Sequence, residues 1–210
     1  ELRNGLAEVI KHAVIGDPEL LQIAGGLWQA DGAAAGDENG AQPSGISEQD
    51  AHRLSRVPAE LRPDLGAEDW NRLVRRAMAV KIRVIQQDPY EAGARASLNL
   101  GHTLGHAIEL VSGFQVRHGE AVGIGMLAAA RAAQHMGLTG PEVLPVIRRS
   151  LQTAGLPLEI PPGLEPRALF EALGRDKKRA GGVVRFVLPE SIGKVRWGVE
   201  LPDYRLLLDE

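Results

Sequence analysis

The chain has 210 residues, 44% of them hydrophobic, and a formal net charge of −3, a balance that argues against a nucleic-acid or anionic-membrane partner. It contains no cysteine, so disulfides and thiolate-held zinc are excluded and any metal must be bound by His, Asp or Glu. Aromatic residues make up only 4%, which leaves Ala, Leu, Val and Ile to build the core and suits closely packed helices.

Leu6, Val9, Ile10, Ala13 and Val14 follow the i, i+3, i+4, i+7, i+8 pattern of an amphipathic helix. Gly16-Asp17-Pro18 interrupts it, and a shorter helix is expected over 18–24. Residues 25–66 are rich in Gly, Ala and Asp without a period and read as a long mobile insertion, with a short helix starting at Ser47 as N-cap. Trp70, Leu73, Val74, Ala77, Val84 and Ile85 mark one face of a helix that Asp88-Pro89 closes. A helix over 96–112 follows, ending near Gly113, and then one over 119–136 with Gly137 as C-cap. The run AVGIGMLAAARAA within the latter predicts burial on most sides. Pro141 suits the first position of a helix reaching 154, and 167–175 predicts a shorter one. VVRFVLP (183–189) and KVRWGVEL (194–201), joined by Glu190-Ser191-Ile192-Gly193, predict a hairpin. The expected architecture is mainly α: a single helical, bundle-like domain over 1–210 with a small β-hairpin near its C-terminal end. No apolar run approaches the ~18 residues of a membrane span, and the first residues lack a signal-peptide pattern. The chain opens without Met and enters a helical pattern at once, so an upstream part of a longer protein is expected.

The stretch NLGHTLGHAIE (99–109) holds two histidines four residues apart. On a continuous helix Arg95, Asn99, His102 and His106 stand at i, i+4, i+7 and i+11 and share one face. Such a stripe can coordinate a cation and bind an anion, or be a solvated polar face; the spacing leaves both readings open. His118, in RHGEAV, reads alone as a surface residue, and Glu8 with Lys11 at i+3 reads alone as an exposed ion pair. Lys81 falls on the apolar stripe of its helix, where a lysine must snorkel or find an anion, either a carboxylate or a substrate phosphate. Asp176-Lys177-Lys178, before Gly181-Gly182, is a second basic spot or a solvated loop.

Taken in order, GLAEVIKH (5–12), DPYEAGARASLNLGHTLGHAIE (88–109), HGEAVGIGM (118–126), DKK (176–178) and FVLPESIGKV (186–195) resemble the C-terminal domain of 3-dehydroquinate synthases, over most of the chain outside 25–66. The resemblance implies a cytoplasmic, metal- and NAD-dependent lyase of the shikimate pathway, on the route to chorismate and the aromatic amino acids. Such enzymes convert the sugar phosphate 3-deoxy-D-arabino-heptulosonate 7-phosphate to 3-dehydroquinate and phosphate, and commonly form homodimers. It further implies that Glu8, His102 and His118 are the protein ligands of a zinc or cobalt ion. His106 would lie beside the substrate. Lys11, Lys81, Arg95, Asn99 and one or both of Lys177 and Lys178 would hold its phosphate and carboxylate. One carboxylate and two imidazoles leave a coordination position open, and a metal so held acts as a Lewis acid.

In the family an NAD-binding half precedes this one. No G-x-G-x-x-G turn occurs in the chain, so the chain alone is expected to lack turnover. Two other readings stand beside this one. The motifs are shared by other sugar-phosphate cyclases, of the 2-deoxy-scyllo-inosose and 2-epi-5-epi-valiolone synthase types, although Arg95, Asn99, His106 and the Asp-Lys-Lys run favour the dehydroquinate enzyme. A non-catalytic metal-binding or interaction domain is the other. A generic metal-dependent hydrolase leaves Lys81, Arg95 and the Asp-Lys-Lys run unexplained.

Overall fold

The helix that the sequence builds from Ala, Gly and short aliphatic residues becomes the centre of the molecule, because small side chains let neighbouring backbones approach from several directions. A computed structural model describes residues 2–26, 67–90, 93–179 and 182–208. Its elements are α1 (Leu2–Gly16), α2 (Glu19–Gly26), α3 (Ala67–Gln87), a 3₁₀ segment (Ala94–Asn99), α4 (His102–Val111), α5 (His118–His135), α6 (Val143–Thr153) and α7 (Pro166–Arg179). A hairpin of β1 (Phe186–Ser191) and β2 (Lys194–Val199) and a 3₁₀ turn (Tyr204–Leu207) complete it. The mainly helical architecture with one antiparallel hairpin is as the sequence predicts.

Every residue of α5 from Ala121 to Ala133 is buried, and α1, α4, α6 and β1 all pack on this helix. Two glycine contacts set the distances. A Cβ on Gly125 of α5 would run into the carbonyl oxygen of Gly101, and one on Gly119 would lie 2.5 Å from the Asn4 backbone of α1. Gly101 itself has φ +79, a left-handed conformation that costs glycine nothing. It separates the 3₁₀ segment from α4. The predicted helix over 96–112 is therefore two elements, because Gly101 must turn the chain to lie against Gly125.

The corner between α1 and α2 is pinned to α3. Arg76 donates from Nε and Nη2 to the two carboxylate oxygens of Asp17, at 2.9 and 2.8 Å, the bidentate geometry that adds orientation as well as energy. At the same end of α1 the hairpin tip docks, with Gly193 N donating to Val14 O at 3.0 Å.

On α1 the predicted apolar stripe, Leu6, Val9, Ile10, Ala13 and Val14, is buried throughout. On α3 the prediction needs correction. Leu73, Ala77, Val80 and Val84 face the core, whereas Val74 is exposed, and so is Lys81. Lys81 thus stands outside the core-facing stripe, and solvation meets the need for an anion that its predicted position implied. Gly137, with φ +66, ends α5 as expected. The next helix starts at Val143, two residues after Pro141. The helix expected over 167–175 extends to Arg179, so the backbone of Lys177 and Lys178 is helical and the loop reading is corrected. The expected insertion at 25–66 and the helix at Ser47 lie, from residue 27 onward, outside the described residues. Among the described residues, no helix is long and apolar enough to cross a membrane.

Candidate metal centre

Helix α1 supplies Glu8, Lys11 and His12 from one flank of its apolar stripe. Because α2, α3, α5 and the hairpin surround α1, this flank is also enclosed: Lys11 is 4% and His12 5% exposed. The exposed Glu8–Lys11 pair read from the sequence is thus a largely buried one. Lys11 Nζ donates to Glu8 Oε2 at 2.6 Å. Glu8 Oε1 points the other way, is buried, and has no hydrogen-bond partner.

Two imidazoles converge on that oxygen. His102 opens α4 and His118 opens α5, and the Nε2 atom of each lies 3.8 Å from Glu8 Oε1. The three prospective ligand atoms all fall within 4.8 Å of one another. Two ligands bound at ~2.0–2.2 Å with tetrahedral angles would stand roughly 3.4 Å apart, so a small contraction would seat an ion. Each ring is oriented through its other nitrogen. His102 Nδ1 donates to Leu100 O at 3.1 Å, and His118 Nδ1 lies 3.2 Å from Glu109 Oε1. Both contacts favour the Nδ1–H tautomer, which leaves an Nε2 lone pair facing Glu8.

The electrostatics agree. Burial would raise the Glu8 carboxyl, but the charge and hydrogen bond of Lys11, with His102 and His12 nearby, outweigh it and hold the group below the ordinary carboxylate value. Burial, then the Lys11 charge, push His102 down to about 4, so it is neutral near pH 7 and able to ligate. Burial lowers Lys11 too, and the Glu8 charge partly opposes the effect. Three electron-rich atoms, one of them a buried carboxylate oxygen without a proton donor, repel one another unless a cation sits between them. The residues therefore fit a divalent metal. An O,N,N donor set suits zinc, cobalt or iron(II), with positions left for further ligands.

The remaining predicted residues are distributed around this point. His106 lies one turn along α4, exposed, its ring centroid 5.5 Å from that of His102 and 6.3 Å from that of His118. It adjoins the three-atom group without belonging to it. Arg95 and Asn99 sit on the 3₁₀ segment leading into His102, so the continuous helical stripe read from the sequence is broken between Asn99 and His102. The buried Asp88 carboxylate shapes this approach by accepting from Gly93 N at 2.7 Å and Arg95 N at 2.9 Å. Arg95 Nη1 donates to Pro89 O at 3.2 Å. Lys81 is close enough to Lys11 and His12 to lower both. Helix α7, whose last turn carries Lys177 and Lys178, packs against α4; the side chains of these two lysines lie outside the described residues.

Sequence reasoning missed His12 and Glu109. His12, with neither ring nitrogen partnered, is lowered to about 4 by burial and then by the Lys11 charge. Its one available signal was its i+4 spacing from Glu8. Glu109 stands seven residues after His102, two helical turns on the same face.

Residues 46–179 match the family described as 3-dehydroquinate synthase C-terminal. Curated relatives include a 3-dehydroquinate synthase of Synechocystis, 39% identical over 93% of this chain and 46% of the relative. One of Symbiobacterium thermophilum is 36% identical over 95% of this chain and 51% of the relative. The chain thus spans about half the length of the curated relatives it matches. Among solved structures, a 2-epi-5-epi-valiolone synthase from Streptomyces hygroscopicus with NAD+ and Zn2+ bound superposes with a TM-score of 0.71 at 25% identity, over 98% of this chain and 49% of that one. A 2-deoxy-scyllo-inosose synthase complexed with carbaglucose-6-phosphate, NAD+ and Co2+ shares the fold, with a TM-score of 0.67 at 20% identity over 99% of this chain and 49% of that one.

Proposed function

Given that the chain belongs to the 3-dehydroquinate synthase C-terminal family, we propose that it forms the metal- and substrate-binding part of a cytoplasmic 3-dehydroquinate synthase. The reaction is the conversion of 3-deoxy-D-arabino-heptulosonate 7-phosphate to 3-dehydroquinate and phosphate. The observation that carries the reading is the buried, unpartnered Glu8 Oε1 set 3.8 Å from both His102 Nε2 and His118 Nε2. Zinc or cobalt is the metal these residues would hold, in keeping with the ions bound in the related structures. A divalent ion there supplies Lewis-acid polarisation of substrate hydroxyls.

The chain's own residues bind and orient. Lys11 keeps Glu8 ionised through its hydrogen bond and presents an ammonium to an anionic substrate. Arg95, held by Asp88 and Pro89, suits a carboxylate or phosphate, which its planar fork matches better than a lysine does. Lys81, Asn99, His106 and one or both of Lys177 and Lys178 complete the polar lining. His106, exposed beside the two histidines, is placed to exchange protons with a substrate hydroxyl.

A hydride carrier is also required. NAD would bind to a nucleotide-binding half, on the same or a separate polypeptide, and the assembly would pair as a homodimer. Without that half, the 210-residue chain is expected to bind metal and release no phosphate.

The identities of 36–39% to curated dehydroquinate synthases support this substrate over those of the other cyclases. The deciding experiment is product analysis after supplying the nucleotide-binding half, NAD, a divalent metal and each candidate sugar phosphate. 3-Dehydroquinate from the heptulosonate phosphate is expected. A carbocycle without the carboxylate, made from another sugar phosphate, would reassign the substrate. Metal binding with no turnover of any of them would leave a non-catalytic binding domain.

A further inference from the structure

His118 differs from His102 in how firmly its surroundings hold it. The His102 side chain is 16% exposed and that of His118 is 48% exposed. An imidazole at the first position of a helix with half its surface in water has little packing to fix its ring. The atom that can fix it is Glu109 Oε1, 3.2 Å from His118 Nδ1, on a side chain only 15% exposed.

The chain between the two residues is tied back onto Glu109 several times. Phe114 N donates to Glu109 O at 2.7 Å, Ser112 Oγ donates to the same carbonyl at 3.0 Å, and Val116 N donates to Ser112 Oγ at 3.3 Å. Phe114 takes φ +62 directly after Gly113 at φ +60. A non-glycine residue in the left-handed region is strained and persists where surrounding bonds over-determine it. These bonds reverse the chain after α4 so that α5 begins with His118 facing the Glu109 carboxylate.

We propose that Glu109 is a positioning residue that fixes the ring orientation and Nδ1–H tautomer of His118, so that its Nε2 faces Glu8 and a bound divalent cation. This rests on the reading that Glu8, His102 and His118 hold a metal. A carboxylate on the far nitrogen of a metal-binding histidine also raises the basicity of the ligating one, and removing such a partner typically weakens metal affinity by ~10–100-fold.

The test is cobalt(II) titration of the 210-residue chain, followed by its visible absorption, for the unaltered protein, Glu109→Ala and Glu109→Gln. The ¹⁵N resonances of His118 are recorded in the metal-free state. Glu109→Ala is expected to bind cobalt ~10–100-fold more weakly, with His118 averaging between tautomers. Glu109→Gln, whose amide oxygen still accepts the Nδ1–H, is expected to keep that tautomer and recover part of the affinity. Should Glu109→Ala fail to fold, Glu109→Gln still carries the test, because it removes the charge. Affinity within twofold of the unaltered protein in either folded variant overturns the proposal. If the unaltered chain takes up no cobalt, the metal reading itself fails and takes this inference with it.

Discussion

Glu8 divides its two oxygens between two tasks: Oε2 accepts a 2.6 Å hydrogen bond from Lys11, while Oε1, buried and without a partner, faces the imidazoles. The single carboxylate thereby joins the candidate metal position to the buried ammonium of Lys11.

Metal binding should stabilise the fold. A ligand at one hundred times its dissociation constant stabilises by about 2.7 kcal/mol, which for a domain of this size raises Tm by roughly 5–10 °C. Scanning calorimetry with zinc is expected to show that rise, and a chelator to reverse it. The rise should be absent in the His102→Ala/His118→Ala double variant; its survival there would place the ion elsewhere.

Lys11→Met should cost more in the metal-free chain than in the loaded one. Without the ammonium, Glu8 keeps a charge with nothing to neutralise it. Because the Glu8 side chain is 35% exposed, the expected loss is about 1–3 kcal/mol rather than the ~3–5 of a fully buried pair. Zinc supplies the missing positive charge and should recover most of it. Urea unfolding with and without zinc measures both, and equal losses in the two states would contradict the account.

Gly125→Ala should act on the site from a distance. Its Cβ would strike the carbonyl of Gly101, the residue preceding His102, so α4 and α5 must part. Overpacking of this kind costs about 1–3 kcal/mol. Zinc affinity should fall with stability, as measured by calorimetric titration. A variant of unchanged stability and affinity would show that the close approach is not needed.

Acid should destabilise the metal-free protein in a defined window. His102 and His12 are both lowered from an ordinary 6.5 to about 4, so between these values the unfolded chain binds protons that the folded one refuses. Stability is full above about pH 6.5 and falls as pH drops towards 4. The charged and titratable groups that act on His12 are Lys11, Glu8, Lys81 and His102. Denaturant titrations across this range should show the slope, and His12→Leu should flatten it. A slope untouched by that substitution would mean that folding does not lower His12.

Much of the fold is legible where one physical signal dominates. The stripe of α1, the Ala/Gly run of α5 with its Gly137 cap, and the β-rich runs on either side of Ile192-Gly193 each have one consistent reading. Helix α3 does not. Leu73, Ala77, Val80 and Val84 are buried, while Val74, Met78 and Ile82 form an exposed apolar row, so periodicity could not choose between two apolar faces. The break at Gly101 was hidden because its cause is non-local: the Gly125 backbone, distant in sequence, requires it. At the site, spacing coupled His102 with His106, whereas the ligand atoms of His102 and His118 converge on Glu8. Resemblance rather than pattern pointed to that grouping, since no local rule relates a residue of α1 to the first residues of α4 and α5. Glu109 looked like any helical glutamate until the loop after it was seen to bring His118 back.

The proposed function requires a divalent cation held jointly by α1, α4 and α5. An anomalous difference map at the zinc edge, from crystals of this chain grown with zinc, tests that most directly. The expected result is one dominant peak ~2.0–2.2 Å from Glu8 Oε1, His102 Nε2 and His118 Nε2. A dominant peak ligated by other side chains, or no peak between these three, would contradict it.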